Sequence, residues 1–153
     1  MSLGINNWVA KGDIVVSNGQ PYVIELAARL SGGYFCTHEI PLNCGVNIVE
    51  AVIRLALNES VSPLSLKTRF LKPVVQRYIF PKPGRVVSIE GVEEVRSWDG
   101  IDMCEIRCEI GDLVEKTTCH PSRTGVIIAS GEIVEEVRDL AERAISTIKI
   151  TTV

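Results

Sequence analysis

The sequence predicts an α+β fold with a mostly antiparallel sheet, and three observations support this. Asn18-Gly19 stands between two β-branched segments, which is a strong signal for a β-hairpin. The segment Ile101–Ile110 alternates apolar and charged residues, as a half-solvated antiparallel strand does. From Val74 onwards the predicted strands come in runs interrupted by helices, which favours α+β over a strictly alternating α/β fold.

The first half of the chain is predicted to contain the hairpin, a loop and a helix. The hairpin strands are predicted at Asp13–Ser17 and Tyr22–Leu26. Tyr34–Gly45 is interrupted by glycine and proline, so it is predicted to be a loop with one short extended piece. Val46–Glu59 is predicted to be a helix, because its apolar residues recur at helical spacing and Asn47 can cap its first turn.

The second half is predicted to contain several short strands and two helices. The clearest helix is Glu132–Ile145, which begins with acidic residues and carries one apolar stripe. The buried stripe of this helix is predicted to consist of Val134, Val137, Ala141, Ala144 and Ile145. A shorter helix is predicted at Val92–Ser97. The predicted strands are Val74–Phe80, Arg85–Glu90, Ile101–Ile110, Leu113–Lys116, Gly125–Ala129 and Ile148–Ile150.

Composition and charge exclude several classes of partner. The 153 residues carry a net charge of −3, so bulk electrostatics predict neither nucleic acid nor an anionic membrane as a partner. No apolar run approaches the roughly 20 residues of a membrane span. With five cysteines, no Cys-x-x-Cys and no visible signal peptide, we expect a cytoplasmic protein without a disulfide framework.

The candidate site lies in and just after the predicted hairpin. Asp13 and Glu25 each stand in an otherwise apolar strand, and the hairpin would bring them together. Two neighbouring carboxylates repel unless a cation lies between them, and a hard divalent ion such as Mg²⁺ is the simplest candidate. Arg29 and the flexible segment Ser31-Gly32-Gly33 follow, and they suit phosphate oxygens. The alternative is that the aspartate caps a turn and the glutamate is solvated.

Two further residues are candidates for ligand contact. His38 lies in the predicted loop, where a single histidine is more often a surface or packing residue than a catalytic one. Arg77 interrupts an apolar strand, so its guanidinium needs an anionic partner. That partner is either one of the chain's glutamates or the carboxylate or phosphate of a ligand, both of which the planar guanidinium binds. The remaining alternative is an edge position of the sheet, where water solvates the guanidinium. Zinc is disfavoured, because the spacing of the cysteines and of His38 and His120 matches no zinc module.

Several motifs resemble the ATP-grasp superfamily of ligases. The hairpin acids followed by I-E-x-x-x-R-L-x-G-G resemble the metal-binding end of that family, and S-G-G-Y-F-x-x-H-x-I-P-L-x-x-G resembles its amino-acid ligases. Arg77 with the following F-P-K-P-G-R, and the later S-R-T-G-V-I-I strand, resemble the C-terminal domain of biotin carboxylase and its relatives. Carbamoyl-phosphate synthase-like enzymes share these features. One departure is Ala27, which stands where the family most often has asparagine.

The resemblance implies a function and a division of the chain. Residues 1–66 would be the C-terminal part of an ATP-grasp domain, and residues 67–153 a C-terminal α+β domain. Asp13 and Glu25 would hold Mg²⁺ against ATP, Arg29 and Arg77 would be catalytic, and the Ser31–Gly33 segment with His38 would contact the nucleotide or substrate. Small carboxylates and amines would be the substrates, an upstream ATP-grasp lobe of the same protein the partner, and a homodimer is an open possibility. We expect the isolated chain to be inactive.

One alternative function remains open at the sequence level. The chain could be a non-catalytic module that keeps this scaffold for small-molecule binding or protein association. The loss of a ligand oxygen at Ala27 favours that alternative.

Overall fold

A computed structural model describes residues 4–153 of the chain, which form two compact units. The first unit ends at Phe70, and the second runs from Leu71 to Val153. Every strand pair among the described residues is antiparallel, so the predicted α+β class is confirmed. No helix among these residues combines the length and the apolar character that crossing a membrane requires.

The first unit is built on the predicted hairpin. Its strands are β1, Lys11–Ser17, and β2, Gln20–Ala27, and both residues of the Asn18-Gly19 turn have positive φ, at 50° and 73°. That is the backbone conformation for which this dipeptide is favoured. Two helices follow, α1 at Ile40–Cys44 and α2 at Ile48–Ala56. The Asn47 side chain accepts a hydrogen bond from the Glu50 N–H at 3.0 Å, which confirms the predicted cap of α2.

The prediction of a loop over Tyr34–Gly45 was wrong. Phe35–Glu39 forms a π-helical turn that runs directly into α1. Gly33 precedes this helical segment with φ 67°, and Gly45 ends it with φ 73°. Pro41 lies within the segment, as the second residue of α1 where the π-helical turn passes into the α-helix.

The second unit contains two three-stranded sheets and two helices. The strands are β3, Val74–Ile79; β4, Gly84–Glu90; β5, Ile101–Ile106; β6, Leu113–Val114; β7, Gly125–Ser130; and β8, Lys149–Thr152. The helices are α3, Val92–Arg96, and α4, Val134–Thr147. One sheet has the order β3-β7-β5 and the other the order β6-β4-β8.

Strand β7 forms the centre of the second unit. Val126, Ile127, Ile128 and Ala129 are fully buried, because strands flank β7 on both sides and α4 covers one of its faces. The predicted stripe of α4 is confirmed at its middle residues Val137, Ala141 and Ala144, which are buried. Val134 was predicted on the same stripe but is exposed in the first turn of the helix.

Strand β5 ends four residues earlier than predicted. Its last residue, Ile106, pairs with Gly125, the first residue of β7, so no partner strand continues beyond that point. The next backbone N–H, of Arg107, donates to the Thr124 carbonyl at 2.8 Å. Ile110, the last apolar residue of the predicted alternating strand, is 69% exposed. The alternation in sequence therefore extends beyond the paired strand.

Candidate functional site

The hairpin brings the two predicted metal ligands together. Asp13 on β1 and Glu25 on β2 are direct Cα partners, and the register shifts immediately after this pair. Directly opposed residues of an antiparallel pair lie on the same face of the ribbon, with Cβ atoms about 4.5–5.5 Å apart. The predicted proximity of the two acids is therefore confirmed. Both carboxylates are about half exposed.

Lys11, which was not predicted as a site residue, lies beside the acid pair. Lys11 precedes Asp13 by two residues on β1, and residues i and i+2 of a strand share a face. The Lys11 ammonium forms an ion pair with the Asp13 carboxylate and lies 4.0 Å from Glu25 Oε1. Its partner across the ribbon is Ala27. The i, i+2 spacing in sequence was the signal that could have revealed it.

The segment after β2 turns back on itself at the predicted phosphate contacts. The Arg29 side chain donates to the Leu30 carbonyl, with Nη1 3.1 Å from the oxygen, and the side chain is exposed. The Ser31 N–H donates to the Cys36 thiol at 3.2 Å, so this predicted anion donor has a partner within the chain. Gly32 is exposed, and a side chain there would meet nothing within 4 Å. Gly33 follows with φ 67°.

His38 lies in the π-helical turn, close to these loop residues in sequence. Its Nδ1 is 2.8 Å from the Thr37 hydroxyl, and its ring meets the Tyr34 ring edge-on with centroids 5.3 Å apart. His38 is half-buried, and so is the neighbouring Glu39. Burial raises the pKa of the Glu39 carboxyl above its ordinary value.

Arg77 belongs to the second unit, where it pairs with a glutamate. Its Nε lies 2.6 Å from Glu142 Oε1 on α4, and its Nη1 donates to the Gln76 carbonyl at 3.0 Å. A glutamate was one of the partners predicted for Arg77 from the sequence. The specific glutamate could not be read from the sequence, because 65 residues separate it from Arg77.

The opposite face of β3 carries a second arginine contact. Tyr78 lies under the Arg123 guanidinium, whose carbon is 3.8 Å from the ring centroid, and Gln76 Nε2 donates to the Tyr78 hydroxyl at 2.8 Å. A cation at this distance is attracted by the negative face of the ring. Arg123 also lines an open cleft of about 370 Å³ together with Arg107 and Ser122. Successive residues of a strand point to opposite faces. Arg77 therefore contacts Glu142 on one face of β3, and Tyr78 contacts Arg123 on the other.

The cysteines and histidines form no metal cluster in the described part of the chain. Among residues 4–153, no group of three or more His, Cys, Asp or Glu side chains is placed to hold one metal ion. The zinc alternative therefore has no three-ligand cluster among these residues. The Asp13–Glu25 pair supplies two carboxylate side chains as oxygen ligands.

A family model and several solved structures match this chain. The family model described as L-amino acid ligase C-terminal domain 2 matches residues 77–153. No curated protein matches the chain. Among solved structures, phosphoribosylglycinamide synthetase from Anaerococcus prevotii is similar with a TM-score of 0.84 and 24% identity, over 99% of this chain and 38% of that one.

Two further solved structures share the fold. L-amino acid ligase from Bacillus licheniformis has a TM-score of 0.75 and 22% identity, over 94% of this chain and 36% of that one. N5-carboxyaminoimidazole ribonucleotide synthetase from Thermotoga maritima has a TM-score of 0.66 and 19% identity, over 95% of this chain and 38% of that one. The chain thus spans less than two fifths of each of the three structures.

Proposed function

This chain belongs to the L-amino acid ligase C-terminal domain 2 family and has the fold of the C-terminal portion of an ATP-grasp ligase, and we propose that it serves an ATP- and Mg²⁺-dependent carboxylate–amine ligase. In the proposed reaction the substrate carboxylate takes the γ-phosphoryl group of ATP and releases ADP. The amine then attacks the acyl phosphate, forming an amide and releasing phosphate.

The opposed pair of Asp13 and Glu25 is the observation that carries this proposal. A half-exposed pair of carboxylates fits Mg²⁺, because this ion is commonly held by one or two carboxylates and completes its octahedron with waters and nucleotide phosphates. When bound, the ion would neutralise charge on the transferring phosphoryl group. Ala27 has no side-chain oxygen, so we assign only Asp13 and Glu25 as side-chain ligands.

The remaining predicted residues have roles that suit their chemistry. We assign Arg29 to the phosphate oxygens, since its exposed guanidinium follows β2 by two residues. Gly32 and Gly33 give a ligand close access to the backbone, and His38 is assigned to the same surroundings as a nucleotide or substrate contact. Arg77 is proposed to bind a carboxylate or phosphate group of the ligand. Its guanidinium must then either break its ion pair with Glu142 or bind the ligand and Glu142 together.

The partner of this chain is proposed to be an ATP-grasp lobe that holds the adenine. The three similar structures are more than twice as long as the part this chain matches, so we expect the nucleotide site to need residues beyond these 153. Accordingly, the 153 residues alone should release no ADP. Residues 1–66 would complete the ATP-grasp domain, and residues 67–153 would form the C-terminal α+β domain.

The test measures ADP release by the intact gene product. Pairs of amino acids and small carboxylates are screened as substrates. The Asp13→Asn/Glu25→Gln variant should lose at least about 100-fold in turnover, because the metal ligands act in the transition state. A Glu135→Gln/Glu136→Gln variant removes the same two charges from exposed residues of α4 and should keep its activity. Wild-type turnover in the hairpin variant would refute the proposed metal role.

A non-catalytic binding module is the second candidate, and two contacts favour it. Asp13 already has a cation partner in Lys11, and the Arg77 fork already has an anion partner in Glu142. Such a module would bind a small carboxylate or a protein without releasing ADP under any substrate pair. The same screen therefore separates the two functions.

A further inference from the structure

The hairpin places four side chains on one small patch. Lys11 and Asp13 are on β1, and their Cα partners on β2 are Ala27 and Glu25. The Lys11 ammonium contacts the Asp13 carboxylate and lies 4.0 Å from Glu25 Oε1. The Lys11 side chain is only 21% exposed, against 50% for Asp13 and 56% for Glu25. The lysine is thus the most covered of the three charged groups.

The lysine ammonium lies where a shared cation would be needed. Without a cation, the two carboxylates would repel each other across the ribbon. One positive charge faces two negative ones, so the patch keeps an excess of negative charge that still attracts a divalent ion. The side chain opposite Lys11 is the methyl group of Ala27, which can neither donate nor accept a hydrogen bond. No β2 side chain at that position therefore competes for the Lys11 ammonium.

We propose that Lys11 is an intramolecular competitor of the divalent metal: it holds the acid pair together when no metal is bound and must be displaced when the ion enters. This inference rests on the proposed function, because it takes Asp13 and Glu25 as the metal ligands. It assigns Lys11 a role in setting metal affinity. Lys11 would neither ligate the metal nor touch the reacting atoms.

The size of the effect follows from the exposure of the pair. Half-exposed ion pairs in proteins contribute little, so removing the competitor should tighten metal binding about 1.5- to fivefold. Salt screens such interactions, because the Debye length is about 10 Å at 0.1 M ionic strength and about 3 Å at 1 M. The difference between wild type and a lysine variant should therefore shrink as salt rises.

The experiment measures Mn²⁺ binding directly, from the free-ion signal in electron paramagnetic resonance, on the longest product of the gene. Lys11→Met should bind Mn²⁺ about 1.5- to fivefold more tightly than wild type, and Lys11→Arg should stay close to wild type. Lys149→Met removes one exposed positive charge from β8 and should leave Mn²⁺ binding unchanged. Circular dichroism verifies folding, and Lys11→Gln replaces Lys11→Met if the latter is unfolded.

The outcomes separate this inference from the proposed function. Tighter binding in the lysine variant supports the competitor role, including the case in which only the variant binds. Equal or weaker binding in the variant overturns it while leaving the acid pair as the metal site. No Mn²⁺ binding in either protein overturns both the competitor role and the proposed metal site. If Asp13→Asn/Glu25→Gln binds Mn²⁺ as wild type does, the acid pair is not the site and both proposals fail.

Discussion

The Arg77 guanidinium donates to the Glu142 carboxylate, with Nε 2.6 Å from Oε1, and so connects strand β3 to helix α4. Both side chains are partly exposed, so solvent screens the pair. This contact is a structural role for Arg77, whereas the proposed function requires the same side chain to bind a ligand. A double-mutant cycle distinguishes the two roles.

We predict a coupling energy of about 0.2–1 kcal/mol between Arg77→Met and Glu142→Gln, measured by urea denaturation, because exposed ion pairs contribute on that order. If Arg77 also binds ligand, Arg77→Met should lower turnover of the full ligase in the wild-type and the Glu142→Gln background alike. Glu142→Gln alone should keep turnover close to wild type. Equal losses from either single substitution would indicate a purely structural bridge.

Strand β7 should be the most sensitive element of the second unit. Ile127 is fully buried between β3 and β5, so Ile127→Ala should lower the free energy of unfolding by about 2–5 kcal/mol through lost burial and the cavity that remains. Ile110→Ala removes the same atoms from an exposed position and should stay within about 0.5 kcal/mol of wild type. Urea denaturation of both variants measures the contrast, which similar losses would contradict.

Gly91 should tolerate no side chain. It has φ 80° before α3, and a Cβ there would lie 2.5 Å from the Thr147 carbonyl oxygen. Gly91→Ala should therefore cost more than the roughly 1–3 kcal/mol of the backbone conformation alone. Gly111 has φ 101°, and a Cβ there would meet nothing within 4 Å. Gly111→Ala therefore measures the free-energy cost of the positive φ alone, without a steric clash. Thermal unfolding should place the Gly91 variant below the Gly111 variant.

Cys119 should be the first thiol to react with iodoacetamide. It is exposed, and its hydrogen bond with the Ser122 hydroxyl lowers the pKa of the Cys119 thiol. The thiolate therefore forms at lower pH than in a free cysteine, and the labelling rate should rise earlier as the pH increases. Ser122→Ala should shift that profile towards higher pH. Burial raises the pKa of the Cys104 thiol, so this residue should react late.

The sequence was sufficient for features that depend on neighbouring residues. The Asn18-Gly19 turn predicted the hairpin, because a tight turn sets the register of the strands next to it. That register alone would place Asp13 opposite Ile24, and the direct pairing of Asp13 with Glu25 depends on the register shift between Asp13 and Ile14, which the turn does not encode. The motif resemblance to ATP-grasp ligases is confirmed by the family match and the shared fold. The metal, ATP and residue roles stay predictions that the experiments above address.

Features that depend on distant residues were not predictable in the same way. The choice of Glu142 as the partner of Arg77 requires knowing that α4 packs on β3. The end of β5 depends on where β7 begins, and the residues of β5 do not encode that position. Lys11 was overlooked for a different reason. Its spacing from Asp13 was visible in the sequence, but a lysine in a strand is ordinarily solvated and was not expected to contact the acid pair.

The strand order of the second unit has a consequence for how the chain acquires its structure during synthesis. β3 and β5 are both made before β7, yet each pairs with β7, and β4 similarly pairs with the late strand β8. A nascent chain that ends before residue 125 therefore holds apolar strands without their central partner, and such segments are prone to associate with other chains. Slower translation before β7 is complete should therefore increase aggregation.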